Sequence, residues 1–116
     1  MRFLCLVCAD SEIEAGLSKE DWQAIDRDSM AYDRQLEAQG NYILAEALQH
    51  TGTAVTVRVR KGEASVTDGP YVETKEHVAG FILIEAKDMA EAIEIAKGIP
   101  LARIGAVEVR PIMTWQ

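Results

Sequence analysis

Two arginines and one glutamate are the residues of this sequence best suited to hold and act on a small anion. Arg58 lies in one alternating run of valines and polar residues, and Glu108 and Arg110 lie in another. Residues two apart in a strand share a face, so these charges point away from the valines. A guanidinium group can bind a carboxylate bidentately. The pattern predicts either an anion site with Glu108 as acid/base or a salt bridge that sets a dimer register.

A second candidate region is the run Thr67–Glu76, TDGPYVETKE, which places a turn, an aromatic ring and several charges in one loop. Asp68 could cap loop amides or serve as an acid/base group. Gly69 permits backbone angles closed to other residues, and Pro70 fixes the next φ. The candidate ligand contacts in this run are Tyr71, Glu73, Lys75 and Glu76. The usual interpretation of a run of charges such as Glu73, Lys75 and Glu76 is a solvated surface.

The two cysteines have the spacing of a CxxC motif, but the pattern around them and around the two histidines favours neither a redox nor a metal site. Cys5 and Cys8 lie three apart on an apolar strand, which puts them on opposite faces and favours two small buried side chains. His50 and His77 have no companion ligands at metal-binding spacing. Either could be a general base, although the sequence favours a solvated loop histidine for each. The sequence thus predicts no metal and no cofactor.

Composition excludes several classes of protein. The 116 residues fit one domain, 1–116, and the formal charge of -7 argues against nucleic acid or an anionic membrane as partner. Residues 10–40 carry most of that charge, with nine acids against three bases. The apolar opening 3–9 is too short to span a bilayer and lacks the features of a secretory signal, which predicts a cytoplasmic protein.

Strands and helices must position the candidate residues, and the hydrophobic pattern of the sequence predicts where these elements lie. Runs 2–9 and 78–84 are apolar on both faces, as in fully buried strands. The remaining predicted elements are a helix from a capping box at 18–21 to about residue 39, a short strand or extended segment at 41–46, a hairpin of 53–60 and 63–67 around Lys61-Gly62, a helix at 89–97 and a strand at 105–112; residues 10–17 are predicted as loop.

This order predicts an α+β fold, a ferredoxin-like sandwich whose antiparallel sheet has two helices on one face. The two doubly apolar strands would be central. The face without helices would then expose apolar side chains, rimmed by Thr56, Arg58, Glu108 and Arg110. Soluble monomers rarely expose so large an apolar patch, so we expect a homodimer through this sheet face, with a pocket between the two layers.

Three runs of the sequence resemble one known family. DGPYVETKEHVAGFILIE resembles the signature of the DGPF-domain proteins of the YCII-related family, with Tyr71 where phenylalanine is typical. TAVTVRVRKGEASVTDGP resembles the hairpin before that signature, and IPLARIGAVEVRPIM resembles the ending of the family. The first strand and the long helix also fit, so the resemblance covers nearly the whole chain.

The resemblance implies a dimeric α+β barrel, in which two ferredoxin-like units pack sheet to sheet, and no established reaction. It also implies structural roles for Gly69, Pro70, Gly80, Gly105 and Pro111. Family members are often encoded beside extracytoplasmic-function sigma factors. YCII proteins in the narrower sense are suspected enzymes with a His/Asp pair, but this chain has no histidine in its long helix, where Tyr32 lies instead.

Two functions therefore follow as hypotheses. The first is a small cofactor-independent enzyme that acts by acid/base chemistry on a small organic anion in the interlayer pocket, with Asp68 or Glu108 as acid/base group and Arg58 and Arg110 holding the anion. The second is a non-catalytic ligand-binding or regulatory module linked to an extracytoplasmic-function sigma factor system.

Overall fold

The computed structural model of the protein describes residues 1–115, which form six strands and three α-helices. Two short 3₁₀ turns, Thr51–Thr53 and Pro100–Arg103, join neighbouring elements. In chain order the strands and helices are β1 (Arg2–Asp10), α1 (Ser11–Ala15), α2 (Lys19–Ala38), β2 (Tyr42–Ala47), β3 (Val55–Arg60), β4 (Glu63–Asp68), β5 (Glu76–Glu85), α3 (Met89–Lys97) and β6 (Gly105–Pro111).

Four strands form one antiparallel sheet in the order β2-β5-β1-β6. The two doubly apolar strands, β1 and β5, are central, as the sequence predicts. This strand order, with α2 connecting β1 to β2 and α3 connecting β5 to β6, defines a ferredoxin-like α+β fold. It confirms the predicted fold class. Strands β3 and β4 pair only with each other among the described residues and form a separate two-stranded sheet.

The hydrophobic core lies between the sheet and the helices. Phe3, Cys5 and Ile84 point toward the helices and are fully buried. From α2, Leu36 packs into the same core, and from α3, Ile95 does. This side of the sheet is covered by the chain itself.

The other side of the sheet, which we call the open face, consists of residues that alternate with the core. Register pairs Leu4 with Leu83 and Leu6 with Phe81 on this side, and all four side chains are only half-buried. Leu44 on the edge strand β2 is 44% exposed. The open face is defined by Leu4, Leu6, Cys8, Leu44, Phe81 and Leu83, with Glu108 and Arg110 along the β6 edge.

Helix starts follow the local sequence. Ser18 and Asp21 form the predicted capping box, with the Ser18 hydroxyl and the Asp21 carboxylate each accepting from the other's backbone N–H. Asp88 caps α3 by accepting from the N–H of Glu91.

The prediction of a loop at residues 10–17 is wrong in part, because α1 occupies Ser11–Ala15. The Asp10 carboxylate accepts from the backbone N–H groups of Glu12 and Ile13. That cap supports a helical turn too short for its hydrophobic pattern to reveal.

None of the described helices combines the length and the apolar character that crossing a lipid bilayer requires.

Candidate functional site

A cavity of about 520 Å³ opens where β5 begins, between that strand, the loop after β2 and the loop after β4. We call it the His77 cavity. Its floor is largely apolar, and both histidines of the chain reach it. The lining side chains that could do chemistry are His50, Thr51, Tyr71, Thr74, Glu76 and His77.

The His77 imidazole is held by polar groups from α1. Its Nε2 lies 3.2 Å from Oε1 of Glu14, and its Nδ1 lies 3.5 Å from the Ser11 hydroxyl oxygen. The His77 side chain is 11% exposed and that of Glu14 is 26% exposed. The Glu14 carboxylate beside Nε2 favours the tautomer that carries its proton there, and the lone pair at Nδ1 then faces the Ser11 hydroxyl. A histidine oriented in this way can act as a general base.

Local sequence explains how α1 reaches His77. The Asp10 cap starts α1 directly after β1, and the Ser11 backbone N–H donates to the carbonyl of Lys75 at 2.7 Å. Ala9 pairs with His77 across the β1–β5 ladder, so the imidazole points to the helix side of the sheet. One turn of α1 then places the Glu14 carboxylate beside Nε2 of the ring.

The second histidine has a different role. Nδ1 of His50 accepts from the backbone N–H of Gly52 at 3.0 Å, which fixes the 3₁₀ turn that follows. Its ring centroid lies 6.4 Å from that of His77. His50 is exposed, so its imidazole forms an outer wall of the cavity.

The loop after β4 brings an aromatic ring and a cation to the same place. The Arg58 guanidinium carbon lies 5.7 Å from the centroid of the Tyr71 ring, a cation–π arrangement. Gly69 has φ 105°, a conformation that favours glycine, and its N–H donates to Ala54 at the base of the hairpin. Pro70 and Tyr71 both line the cavity as a result.

The charges of this loop are divided among several contacts. Glu76 lines the His77 cavity, and Glu73 lines its outer extension of about 270 Å³. Lys75 forms an exposed ion pair with Glu12, 3.7 Å between Nζ and Oε2. Asp68 ends β4 opposite Val55 and is exposed. The candidate contacts Tyr71, Glu73 and Glu76 are therefore brought together, and Asp68 stands outside the cavity lining.

Glu108 and Arg110 lie in a different place. They pair with Leu6 and Leu4 across the β1–β6 ladder and so rim the open face. The Arg110 Nε donates to the Glu108 carboxylate at 2.8 Å. The expectation that Arg58 shares their sheet face is wrong, because β3 lies in the separate hairpin. Without that shared face, Arg58 and Arg110 do not form one clamp within a single chain.

A second cleft, of about 190 Å³, lies between α2 and the sheet, and it contains Asp33, which no sequence pattern singles out. Burial raises the pKa of the Asp33 carboxyl above its usual range. The Tyr32 hydroxyl donates to the Ile95 carbonyl at 2.6 Å, and burial, followed by the nearby Cys5, raises its pKa. Helical spacing alone does not separate these residues from other polar positions of α2.

The predicted separation of the two cysteines is confirmed. Cys5 is fully buried on the helix side, where burial raises the pKa of its thiol to about 11. Cys8 lies on the open face, and burial, then the charges of Glu108 and Glu76, raises its pKa. Both are free thiols.

The small residues of the family signature occupy tight places in the sheet. A Cβ on Gly80 would lie 2.8 Å from the Glu46 carbonyl oxygen of β2, so glycine permits the close β2–β5 approach. Gly105 begins β6 against the backbone of Cys8. Pro111 lies at the end of the edge strand β6. Proline has no backbone N–H, and at this position its absence removes no hydrogen bond from the interior of the sheet.

Across the described residues, no group of three or more His, Cys, Asp or Glu side chains has the arrangement of a metal site. Ser11, Glu14 and Asp33 are the functional candidates that sequence reasoning missed. Asp10 followed by acidic residues is the one local signal that could have placed α1. The approach of Glu14 to His77 joins residues 63 positions apart and has no local signature.

The fold and the loop after β4 together define the class: a small ferredoxin-like α+β protein with a cavity at one end of its sheet. The family model for the YCII-related domain matches residues 1–116. The chain is also 33% identical over 118 residues to the uncharacterised protein R00369 of Rhizobium meliloti (strain 1021), covering 100% of this chain and 95% of that protein. The chain belongs to the YCII-related family.

Proposed function

We propose that this protein is a small cofactor-independent enzyme that moves a proton on a small organic anion bound in the His77 cavity. The observation that carries the proposal is the His77 imidazole, held between Glu14 and Ser11 at the wall of a cavity large enough for such a molecule. Nearly buried histidines with an orienting carboxylate are suited to general acid–base catalysis.

The step needs no co-reactant. His77 keeps its own proton at Nε2, beside Glu14, and accepts a substrate proton at Nδ1, where the substrate takes the place of the long Ser11 contact. The ring becomes an imidazolium. The Glu14 carboxylate stabilises that positive charge in a partly desolvated position. The imidazolium then returns the proton to another atom of the substrate, so that an isomer is released and the enzyme is regenerated.

Charges around the cavity set the direction in which a substrate binds. Glu73 and Glu76 repel an anionic group from their side of the cavity. Arg58, stacked on Tyr71, supplies a positive charge at the Tyr71 wall. The anionic group is therefore directed toward Tyr71 and the reacting C–H or O–H toward His77. This substrate pose uses Arg58 from the sequence prediction and replaces Asp68 and Glu108 with His77 as the acid/base group.

The test is solvent exchange in D₂O, followed by NMR with a panel of small hydroxy acids and keto acids. We expect deuterium incorporation for a subset of the panel, reduced at least about 100-fold in His77→Gln, because a positioned base contributes about 10²–10⁴ in rate. Glu14→Gln should lose less. His50→Gln is the matched control, since His50 lines the same cavity but its Nδ1 is engaged by Gly52. Full exchange in His77→Gln would contradict the proposal.

A ligand-binding module without catalysis, regulatory and linked to a sigma factor system, is the second candidate. The contact of the Ser11 hydroxyl with His77 Nδ1 favours it, because the atom that would act as the base faces a hydroxyl of the chain itself. In the same panel, saturable binding without exchange in the wild-type protein would favour this function over the enzyme.

We also propose that the working unit is a homodimer that pairs the two open faces. The chain exposes 8235 Å², whereas a compact monomer of 12.8 kDa exposes about 6300 Å². The excess for two chains, about 3900 Å², falls within the range of obligate homodimer interfaces. In such a dimer Glu108 and Arg110 would rim the space between the sheets, as the sequence predicts for an interlayer pocket.

Light scattering tests the dimer. We expect about twice 12.8 kDa for the wild type and a monomer for Leu6→Glu, which puts a charge in the centre of the open face. Ile93→Glu is the matched control, because Ile93 is an exposed apolar residue of α3 on the other side of the sheet. A monomeric wild type, or a dimeric Leu6→Glu, would contradict the pairing.

We further infer that the chain belongs to the DGPF-domain group of its family and that it works in the cytoplasm. The run DGPYVETKE supports the first inference. Two free thiols support the second, since cysteines of oxidising compartments are commonly paired in disulfides.

A further inference from the structure

The β3–β4 hairpin, residues 55–68, has an apolar face that its own chain leaves exposed. Val55, Val57 and Val59 are 59–61% exposed, and Val66, which pairs with Val57, is 67% exposed. The opposite face carries Thr56 and Arg58, which are half-buried. The hairpin therefore turns its polar side toward its own chain and its valine side outward. We call it the hairpin arm.

The hairpin arm is well specified by its own sequence. Lys61 and Gly62, with φ of 52° and 78°, form a turn with two positive φ angles, which matches the twist of a two-residue hairpin. Six residue pairs from Val55–Asp68 to Arg60–Glu63 continue the ladder. Its anchoring hydrogen bonds lie at the base, where Thr56 and the Gly69 N–H close the loop. Two-stranded hairpins are marginally stable in water without a surface to pack on.

Charge indicates which molecule supplies that surface. The hairpin arm carries three bases, Arg58, Arg60 and Lys61, and two acids, Glu63 and Asp68, on a chain whose formal charge is -7. The segment 10–40 holds nine acids and three bases. A second copy of this chain therefore offers an acidic surface to a basic arm.

The shape of the chain also favours contact with a second copy. The Cα radius of gyration is 16.1 Å, whereas about 13 Å is expected for a compact domain of this length. The extents of 47 × 46 × 18 Å show a flat molecule. A flat chain with an exposed apolar arm is the shape expected of a subunit whose arm packs on a second subunit.

We propose that the valine face of the hairpin arm packs on the second copy of the chain, so that each subunit grips the other outside the paired open faces. This inference rests on the proposed homodimer and adds a second contact to it. The valines supply the apolar contact, and Arg60 and Lys61 at the tip meet carboxylates of the other copy.

The first experiment compares two substitutions on opposite faces of the hairpin arm. Val57→Lys introduces a charge on the valine face, and Thr67→Lys introduces the same charge on the other face. By light scattering over a dilution series, we expect Val57→Lys to raise the dimer Kd at least tenfold and Thr67→Lys to leave it within about twofold. Equal Kd values for both variants and the wild type would overturn the arm contact and leave the open-face dimer standing.

Loss of folding is separated from loss of contact by a second experiment. Unlabelled and ¹⁵N-labelled wild-type chains are mixed, allowed to exchange subunits, and cross-linked with a zero-length carbodiimide. We expect Lys61 of one isotope joined to a carboxylate of the other isotope. Cross-links of Lys61 within one isotope alone would overturn the proposal, and a monomeric mixture would overturn the homodimer with it.

Discussion

The two faces of the four-stranded sheet have similar side chains and different surroundings. On the helix side, Phe3 and Ile84 are fully buried. On the open face, their neighbours Leu4 and Leu83 are half-buried although they are equally apolar. Burial in this sheet thus follows from the covering layer rather than from side-chain type, and only one layer comes from the chain itself.

The largest expected effect is on the free energy of unfolding, which substitutions on the two faces of the sheet should lower by different amounts. Ile84→Ala should lower the free energy of unfolding by about 2–5 kcal/mol, because it leaves a cavity in a closed core. Leu83→Ala, the next residue on the same strand, should cost less, and its cost should grow with protein concentration as the dimer forms. Urea unfolding at two concentrations measures both. If the loss of stability in Leu83→Ala does not change with protein concentration, the proposal that a second subunit covers the open face is wrong.

The next effect is on the rate at which the thiols of Cys5 and Cys8 react with maleimide. The thiolate is the reactive species, and burial raises the pKa of Cys5 to about 11, so Cys5 should react with maleimide only on unfolding. Cys8, on the open face, should react at least tenfold faster in dilute protein than in concentrated protein. Labelling followed by mass spectrometry distinguishes the sites, with Cys5→Ala and Cys8→Ala as single-thiol controls. A concentration-independent rate at Cys8 would mean that the open face stays uncovered.

The smallest effect concerns the cleft on the helix side. Burial raises the pKa of Asp33, so the fold favours the protonated carboxyl. Its contribution to stability is present below the unfolded pKa of about 3.9 and is lost as pH rises through the higher folded pKa. Asp33→Asn should therefore unfold at slightly higher urea than wild type at pH 7, with little difference at pH 3. Equal shifts of the urea midpoint at both pH values would contradict this origin.

Much of the fold was predictable because its signals are local. The capping box at Ser18 and Asp21, the cap at Asp88 and the turn at Lys61-Gly62 each act within four residues, and the structure contains all three. The doubly apolar patterns of β1 and β5 also predict central strands, and the sheet order confirms them.

The candidate site was only partly predictable. The loop that carries Tyr71 and Glu76 stands out in the sequence because glycine, proline and charges are concentrated there. The role of His77 does not, because its partners Glu14 and Ser11 come from a five-residue helix more than 60 positions away. The supposed cluster of Arg58 with Glu108 and Arg110 failed for the same reason: alternation predicts a strand's face but not the sheet to which the strand belongs.

Most of the elements, their order, the family and the existence of a second apolar face can be read from the order of residues alone, because backbone capping, turn chemistry and side-chain period act over short distances. The separation of β3 and β4 from the main sheet and the approach of Glu14 in α1 to His77 are visible only in the folded chain. Those placements depend on which surfaces meet once the chain has folded, and long-range contacts of that kind leave no periodic trace in the sequence.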